Sequence, residues 1–149
     1  MQVLLQMPLL ATILKQMLNG KILVIDDDID ILSVVGFILK RNGFEIVPFS
    51  SPPPNFVEKV SEIKPAVILL DVQLAGYDGR ELCKLVKEVK QHSHIPVLLF
   101  SANHHYKYGI DKYLCDDFIE KPFEIEFFLD KISYYAQKCN EERVLPCLI

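Results

Sequence analysis

The chain has 149 residues, a length that suits one domain with a sizeable core and is too short for two ordinary domains. Half of the residues are hydrophobic and 24% are charged, a composition typical of globular proteins and unlike that of disordered chains. The formal net charge of -4 argues against nucleic-acid binding, because affinity for a phosphate backbone comes mainly from clustered lysine and arginine.

The first twenty residues are apolar but lack the features of a signal peptide or a membrane span. No lysine or arginine precedes the apolar run, and its uninterrupted stretches are shorter than the roughly twenty residues that a bilayer requires. Pro8 suits the first turn of a helix, and Asn19-Gly20 would end it. The pattern predicts an amphipathic extension over residues 1–20 that packs on its own domain or on a second copy, as a possible homodimer. The alternative is an upstream start, with Met17 as the true first residue.

From Lys21 onwards, short apolar runs alternate with segments whose apolar residues have helical spacing. The apolar runs predict five strands, namely KILVI at 21–25, FEIVPF at 44–49, AVILL at 66–70, PVLLF at 96–100 and DFIE at 117–120. Helical spacing predicts four helices, at Ile29–Lys40, after the three prolines at 52–54, at Arg80–Lys90 and at Glu124–Lys138.

This alternation predicts an α/β fold, a doubly wound five-stranded parallel sheet with helices on both faces. The expected order of strands is the flavodoxin-like 2-1-3-4-5. One domain over residues 21–140 would lie between the N-terminal extension and a C-terminal tail at residues 141–149. In such sheets, ligands bind outside the carboxyl ends of the strands, where the winding direction switches.

Polar side chains follow four of the predicted strands at that edge: Asp26, Asp27 and Asp28 after the first, Asp71 after the third, Ser101 after the fourth and Lys121 after the fifth. Carboxylates a few ångströms apart repel one another, so the cluster needs a cation. An all-oxygen set with open positions favours Mg²⁺. A phosphoryl group could then lie beside Asp71, with its charge shared by the metal ion, Lys121 and Ser101.

Four motifs, in this order and spacing, resemble the receiver domain of two-component response regulators, including the chemotaxis regulators. They are KILVIDDD, VILLDVQLAGYDG, LLFSA and FIEKPF, and the similarity covers nearly everything from Lys21 to about Lys138. The resemblance implies that Asp71 is the phosphoacceptor and that Asp26 and Asp27, with the backbone carbonyl of Gln73, bind Mg²⁺ beside it.

The resemblance also implies roles for three residues near the ends of the last two strands. Ser101 matches the hydroxyl residue that contacts the phosphoryl group, and Lys121 matches the lysine of the family's Lys-Pro motif, whose peptide bond is cis in family members. Phe118 falls where the family has its switch aromatic. Ordinary core packing is an equally supported role for this side chain. Asp28 and Asp30 are interpreted as helix-capping or first-turn acids.

Two departures from the family pattern concern the loops around the expected site. Ala75 stands where the family commonly has a proline after the phosphoacceptor. The segment NHHYKYGIDKYLCDD, residues 103–117, has a poor helical pattern, which predicts that the helix between the fourth and fifth strands is short or distorted. In the family that this chain resembles, that helix belongs to the usual output surface.

The expected function is that of a signalling receiver in the cytoplasm. A sensor histidine kinase or a phosphotransfer protein would supply the phosphoryl group, and a downstream protein target would read the result, without nucleic acid or membrane as a partner of this chain. The chain would be an enzyme only in catalysing its own phosphorylation from a phosphodonor and its own slow dephosphorylation. It would be a stand-alone receiver or a piece of a longer regulator or hybrid kinase.

Two alternatives use the same residues differently. A haloacid-dehalogenase-like phosphatase would use Asp26 as the nucleophile and Asp28 as the acid of a DxD motif, but it leaves the Asp71 strand without a role. A receiver-like module that is never phosphorylated would act only by protein binding.

The cysteines and histidines do not predict a metal site. No CxxC pair occurs among Cys83, Cys115, Cys139 and Cys147, which are expected to be reduced thiols. The histidines lie in two pairs, at 92/94 and 104/105, and are interpreted as polar loop residues.

Overall fold

A computed structural model describes residues 6–11, 14 and 19–144. The main strands are β1 (Lys21–Ile25), β2 (Glu45–Phe49), β3 (Val67–Asp71), β6 (Val97–Ser101) and β7 (Asp117–Glu120). Two short strands, β4 (Gln73–Leu74) and β5 (Tyr77–Asp78), follow β3. The helices are α1 (Ile29–Arg41), α2 (Phe56–Ile63), α3 (Gly79–Lys87) and α4 (Ile125–Val144).

The five main strands form one parallel sheet in the order β2-β1-β3-β6-β7. When only the five main strands are counted, β6 is the fourth and β7 the fifth, and the order is the predicted 2-1-3-4-5. The winding direction changes between β1 and β3, so the loops after these two strands leave the sheet on either side of the switch point. The predicted fold class is therefore confirmed, and the polar residues at these strand ends meet at the expected edge.

The core occupies both faces of the sheet, because successive side chains of a strand point to opposite sides. In β3, Val67 and Leu69 pack in the cluster that contains the buried residues of α1 and α4. Ile68 and Leu70 pack in the cluster that contains those of α2 and α3. All four are fully buried. Burial on both faces explains why this strand has an uninterrupted apolar sequence.

The connection between β6 and β7 departs most from a regular α/β fold. Two 3₁₀ helices, His104–Lys107 and Ile110–Tyr113, replace the expected α-helix. Gly109 separates them with a φ of 73°, and Leu114 ends the second with a φ of 62°. Both values lie in the left-handed region, which interrupts a right-handed helix. The prediction that the helix between these two strands would be short or distorted is thus confirmed.

The two ends of the domain compare differently with the sequence-based expectation. Residues 6–11, 14 and 19 are helical, and the rest of the predicted N-terminal helix lies outside the described residues. Met7, Leu9, Leu10 and Leu14 are at least half exposed. The last helix continues to Val144, beyond the predicted end at Lys138. None of the helices in the described part of the chain combines the length and hydropathy that crossing a bilayer requires.

Candidate functional site

Three aspartates converge at the carboxyl ends of the two central strands. One carboxylate oxygen from each of Asp26, Asp27 and Asp71 lies within 4.8 Å of the other two. Asp26 and Asp71 are buried, whereas Asp27 is exposed. A cluster of oxygen ligands with one side open to solvent suits a hard divalent cation that keeps part of its water shell. Among the described residues, no group of histidines or cysteines forms a comparable cluster.

Lys121 supplies the positive charge of the site. Its ammonium nitrogen lies 2.5 Å from Oδ2 of Asp26 and 3.6 Å from Oδ2 of Asp71. The same nitrogen lies 4.4 Å from the centroid of the Phe100 ring, a cation–π contact. The Lys121–Pro122 peptide bond is cis, and the backbone N–H of Lys121 donates to the carbonyl of Ser101 at 2.9 Å. Lys121 is therefore held by a backbone hydrogen bond to the end of β6 and by the contacts of its ammonium group with the acids.

The Asp71 carboxyl group binds its proton more tightly in the folded chain than an aspartate does in water. Burial raises the pKa of Asp71 from 3.8 to about 6, and the charge of Asp26 adds to this effect. The Lys121 ammonium and the backbone N–H of Gln73, which donates to Oδ1 of Asp71 at 3.3 Å, lower the pKa and offset part of the rise. A carboxyl group with a raised pKa beside other acids is typical of a functional site.

The structure places Ser101 at the same edge of the sheet, whereas Phe118 lies within β7, away from that edge. Ser101 is 1% exposed, and its hydroxyl oxygen accepts a hydrogen bond from the backbone N–H of Asn103 at 3.1 Å. Asp71 pairs with Phe100 in the register of β3 and β6, so Ser101 lies one position beyond it. Phe118 is partly buried and packs against the α2 and α3 face of the core. Its position is compatible with both predicted roles, switching and packing.

The remaining acids near the site have structural roles. Oδ1 of Asp28 accepts hydrogen bonds from the backbone N–H groups of Asp30 and Ile31, at 2.9 and 3.3 Å, and so caps α1. Asp30 lies in the first turn of that helix. The interpretation of these two residues as capping and first-turn acids is confirmed.

Sequence reasoning missed two arrangements. His92 was expected to be a polar loop residue, but it is 4% exposed, and its Nε2 lies 2.6 Å from the hydroxyl oxygen of Ser61. The apolar residues near it in sequence, Val89 and Ile95, gave only a weak indication of this burial. The second arrangement is the contact of Arg80 with Tyr106 and Tyr113, described below, for which the sequence contains no local signal. Cys83, Cys115 and Cys139 are free thiols, and Cys147 lies outside the described residues.

Comparison with known proteins identifies the family. The response regulator receiver domain family matches residues 22–133, which is most of the chain. The sensory transduction protein BceR from Halalkalibacterium halodurans is 29% identical over 128 residues, covering 80% of this chain and 51% of BceR. The chain thus spans about half the length of this relative.

Solved structures agree with this family. NtrX from Brucella abortus is 27% identical with a TM-score of 0.74, over 87% of this chain and 29% of NtrX. The chemotaxis protein CheY4 from Vibrio cholerae has the same fold, with a TM-score of 0.69, 24% identity, and coverage of 78% of this chain and 98% of CheY4. This evidence favours a receiver over the haloacid-dehalogenase-like alternative. With its sheet order, its acidic cluster and this sequence match, the chain belongs to the response regulator receiver domain family.

Proposed function

We propose that this receiver accepts a phosphoryl group on Asp71 and signals by a change in its protein-binding surface. The observation that carries the proposal is the convergence of three carboxylates within 4.8 Å of one another, with the ammonium group of Lys121 3.6 Å from Asp71. A carboxylate beside a fixed cation and further metal-binding oxygens can act as a nucleophile toward a phosphoryl group, because the positive charges neutralise the transferring oxygens.

In the proposed reaction, a carboxylate oxygen of Asp71 attacks the phosphorus atom of the donor. An O–P bond forms and the bond from phosphorus to the leaving group breaks; the leaving group is an imidazole for a phosphohistidine donor and acetate for acetyl phosphate. In dephosphorylation, a water molecule attacks the phosphorus atom, the bond from phosphorus to the Asp71 oxygen breaks, and inorganic phosphate and the free carboxylate result. In both steps the ammonium group of Lys121 balances the charge of the transferring oxygens.

The donor set fits Mg²⁺, which prefers oxygen ligands and typically takes one or two carboxylates with several waters. Asp26, Asp27 and Asp71 would bind the ion, together with the backbone carbonyl of Gln73 that the family resemblance indicates. Bound there, Mg²⁺ would offset the repulsion between the acids and the incoming phosphoryl oxygens. The exposed position of Asp27 leaves a solvent-facing side for water ligands and for the phosphodonor.

Ser101 and Phe118 are proposed to carry the change from the phosphoryl group to the surface. The hydroxyl group of Ser101 accepts the N–H of Asn103, so a hydrogen bond from Ser101 to a phosphoryl oxygen would act directly on the loop after β6. Phe118 is only partly buried and therefore has room to reorient. A sensor histidine kinase or a phosphotransfer protein is the proposed donor, and a downstream protein is the proposed target.

Intact-protein mass spectrometry after incubation with acetyl phosphate and Mg²⁺ tests the proposal. We expect the wild-type chain to gain the mass of one phosphoryl group and Asp71→Asn to gain none. Asp27→Asn is expected to react far more slowly, while Asp30→Asn, an exposed acid outside the cluster, reacts like the wild type. A wild-type chain that gains no mass would instead indicate a receiver-like module that acts only by binding.

A further inference from the structure

Arg80 joins the loop that follows Asp71 to the two 3₁₀ helices that stand in place of an α-helix between β6 and β7. Its guanidinium carbon lies 4.7 Å from the centroid of the Tyr106 ring and 5.0 Å from that of Tyr113. Tyr106 belongs to the first 3₁₀ helix and Tyr113 to the second. The guanidinium group thus contacts one aromatic ring from each 3₁₀ helix. Both are cation–π contacts, which stabilise by electrostatic attraction and by stacking.

The other partner of Arg80 is Asp78, at the end of the loop. Nε of Arg80 donates to Oδ1 of Asp78 at 3.0 Å, and the guanidinium NH2 group donates to Oδ2 at 2.6 Å, a bidentate ion pair. Oδ1 also accepts the backbone N–H of Arg80 at 2.9 Å and caps α3. A planar fork held on both carboxylate oxygens fixes the orientation of both side chains.

The Asp78 end of this connection is directly linked to the candidate site. Asp78 pairs with Gln73 in the antiparallel ribbon of β4 and β5, and Gln73 donates its backbone N–H to Asp71. The backbone N–H of Gly79 donates to the carbonyl of Val72 at 2.8 Å. The chain therefore folds back so that the first turn of α3 lies against the end of β3.

We propose that Arg80 is a positioning residue that transmits a change at Asp71 to the 3₁₀ helices, through the loop and Asp78, and so defines the shape of this chain's output surface. The part that concerns phosphorylation rests on the function proposed above. A competing connection runs from Ser101 through Asn103, whose Oδ1 accepts the N–H of His105 and caps the first 3₁₀ helix. The experiment must separate these two routes.

Hydrogen exchange of the unphosphorylated chain tests the physical link on its own. We expect Tyr106→Leu to raise the exchange rates of backbone amides at residues 73–80 by about two- to fivefold, the size of one cation–π contact. Tyr106→Phe keeps the ring and is expected to match the wild type. Arg41→Lys is the matched control, because Arg41 stacks on Phe37 at 5.6 Å on another face of the domain. Unchanged exchange at residues 73–80 in Tyr106→Leu would overturn the proposal.

The same measurement after treatment with acetyl phosphate and Mg²⁺ tests transmission. In the wild type and Arg41→Lys, amides at residues 104–114 are expected to change their exchange on phosphorylation. Arg80→Lys keeps the charge but loses the fork and the stacking plane, so it is expected to gain the phosphoryl mass while the amides at 104–114 no longer respond. A mere loss of stability would not abolish the difference between the two states.

A wild-type response at residues 104–114 in phosphorylated Arg80→Lys would contradict transmission through Arg80. If Asn103→Ala also loses that response, the signal is assigned to the Ser101 route. If neither the wild type nor Arg41→Lys gains phosphoryl mass, the proposed function fails, whereas the exchange of unphosphorylated Tyr106→Leu still decides whether Arg80 links the two regions.

Discussion

The ammonium nitrogen of Lys121 lies 2.5 Å from Oδ2 of Asp26, a carboxylate that has no exposed surface. The two residues follow β7 and β1, which are separated in the sheet by β3 and β6. Lys121 thus reaches across the end of the sheet, with its ammonium nitrogen 3.6 Å from Oδ2 of Asp71. The ion pair gives a fully buried carboxylate its counter-charge and contributes to the proposed charge balance of the site.

Replacing Lys121 with methionine is expected to lower the free energy of unfolding by about 3 kcal/mol in the absence of divalent ions, because a buried carboxylate loses its counter-charge. Millimolar Mg²⁺ is expected to restore part of the loss. Urea denaturation measures both quantities. Lys59→Met is the control, because Lys59 pairs with Glu62 on the surface and such pairs contribute less than about 1 kcal/mol. Equal losses in the two variants would contradict a structural role for the buried pair.

Alanine at position 79 is expected to disturb the site through the backbone. A Cβ atom there would overlap the carbonyl oxygen of Asp71. We expect Gly79→Ala to lower the free energy of unfolding by about 2–3 kcal/mol, the upper part of the range for overpacking, and to slow phosphorylation. Gly36→Ala, in the middle of α1 with no atom outside its own helix within 4 Å of the added Cβ, is expected to stabilise the chain by about 0.5–1 kcal/mol. Chemical denaturation that ranks the two variants in the opposite order would refute this reading of Gly79.

Leu114 is held in a backbone conformation that its side chain disfavours. Its φ of 62° lies in the left-handed region, and the side chain is 45% exposed, so few contacts offset the strain. Leu114→Gly relieves the backbone strain but increases the conformational entropy of the unfolded chain, and the two effects oppose each other. The net result is expected to be a free energy of unfolding higher by about 0.5 kcal/mol. The same change at Leu85, an exposed position within α3, is expected to cost about 1 kcal/mol. Thermal unfolding of both variants checks the contrast.

His92 is expected to make stability depend on pH. Burial lowers the pKa of His92 below its ordinary value of 6.5. Between the lowered pKa and pH 6.5, the unfolded chain therefore binds a proton at this residue that the folded chain does not. Stability from this residue is present above pH 6.5 and is lost as the pH falls below it. His92→Gln is expected to flatten the decrease in unfolding free energy between pH 7.5 and 5.5, measured in urea. The exposed His104, changed to glutamine, is the control. An unchanged slope in His92→Gln would show that burial does not disfavour the charged imidazole.

The strands and the candidate site could be predicted because each depends on local sequence signals. Runs such as Val67–Asp71 are apolar throughout since the sheet is covered on both faces, and the acids follow these runs directly. Parallel strands bring their carboxyl ends to one edge, so topology alone places Asp26 near Asp71. The difference in burial between Asp26 and Asp27 did not follow from the sequence, because it depends on the path of the loop before α1.

The connection between β6 and β7 could be predicted only in part. The crowded aromatic and histidine residues indicated a poor helix, but the two 3₁₀ helices that form here carry tyrosines in contact with Arg80, a residue distant in sequence. Tertiary contacts of this kind override local propensity and leave no periodic pattern in the sequence. The burial of His92 likewise depends on Ser61, 31 residues earlier, and on the apolar surroundings of both.

Borohydride reduction followed by peptide mass spectrometry tests the central claim most directly, because it converts an aspartyl phosphate to homoserine at the residue that carried the phosphoryl group. After incubation with acetyl phosphate and Mg²⁺, we predict homoserine at position 71 in the wild type and in Asp30→Asn. Homoserine at position 26 instead, or mass gain without any homoserine, would contradict the assignment of Asp71 as the phosphoacceptor.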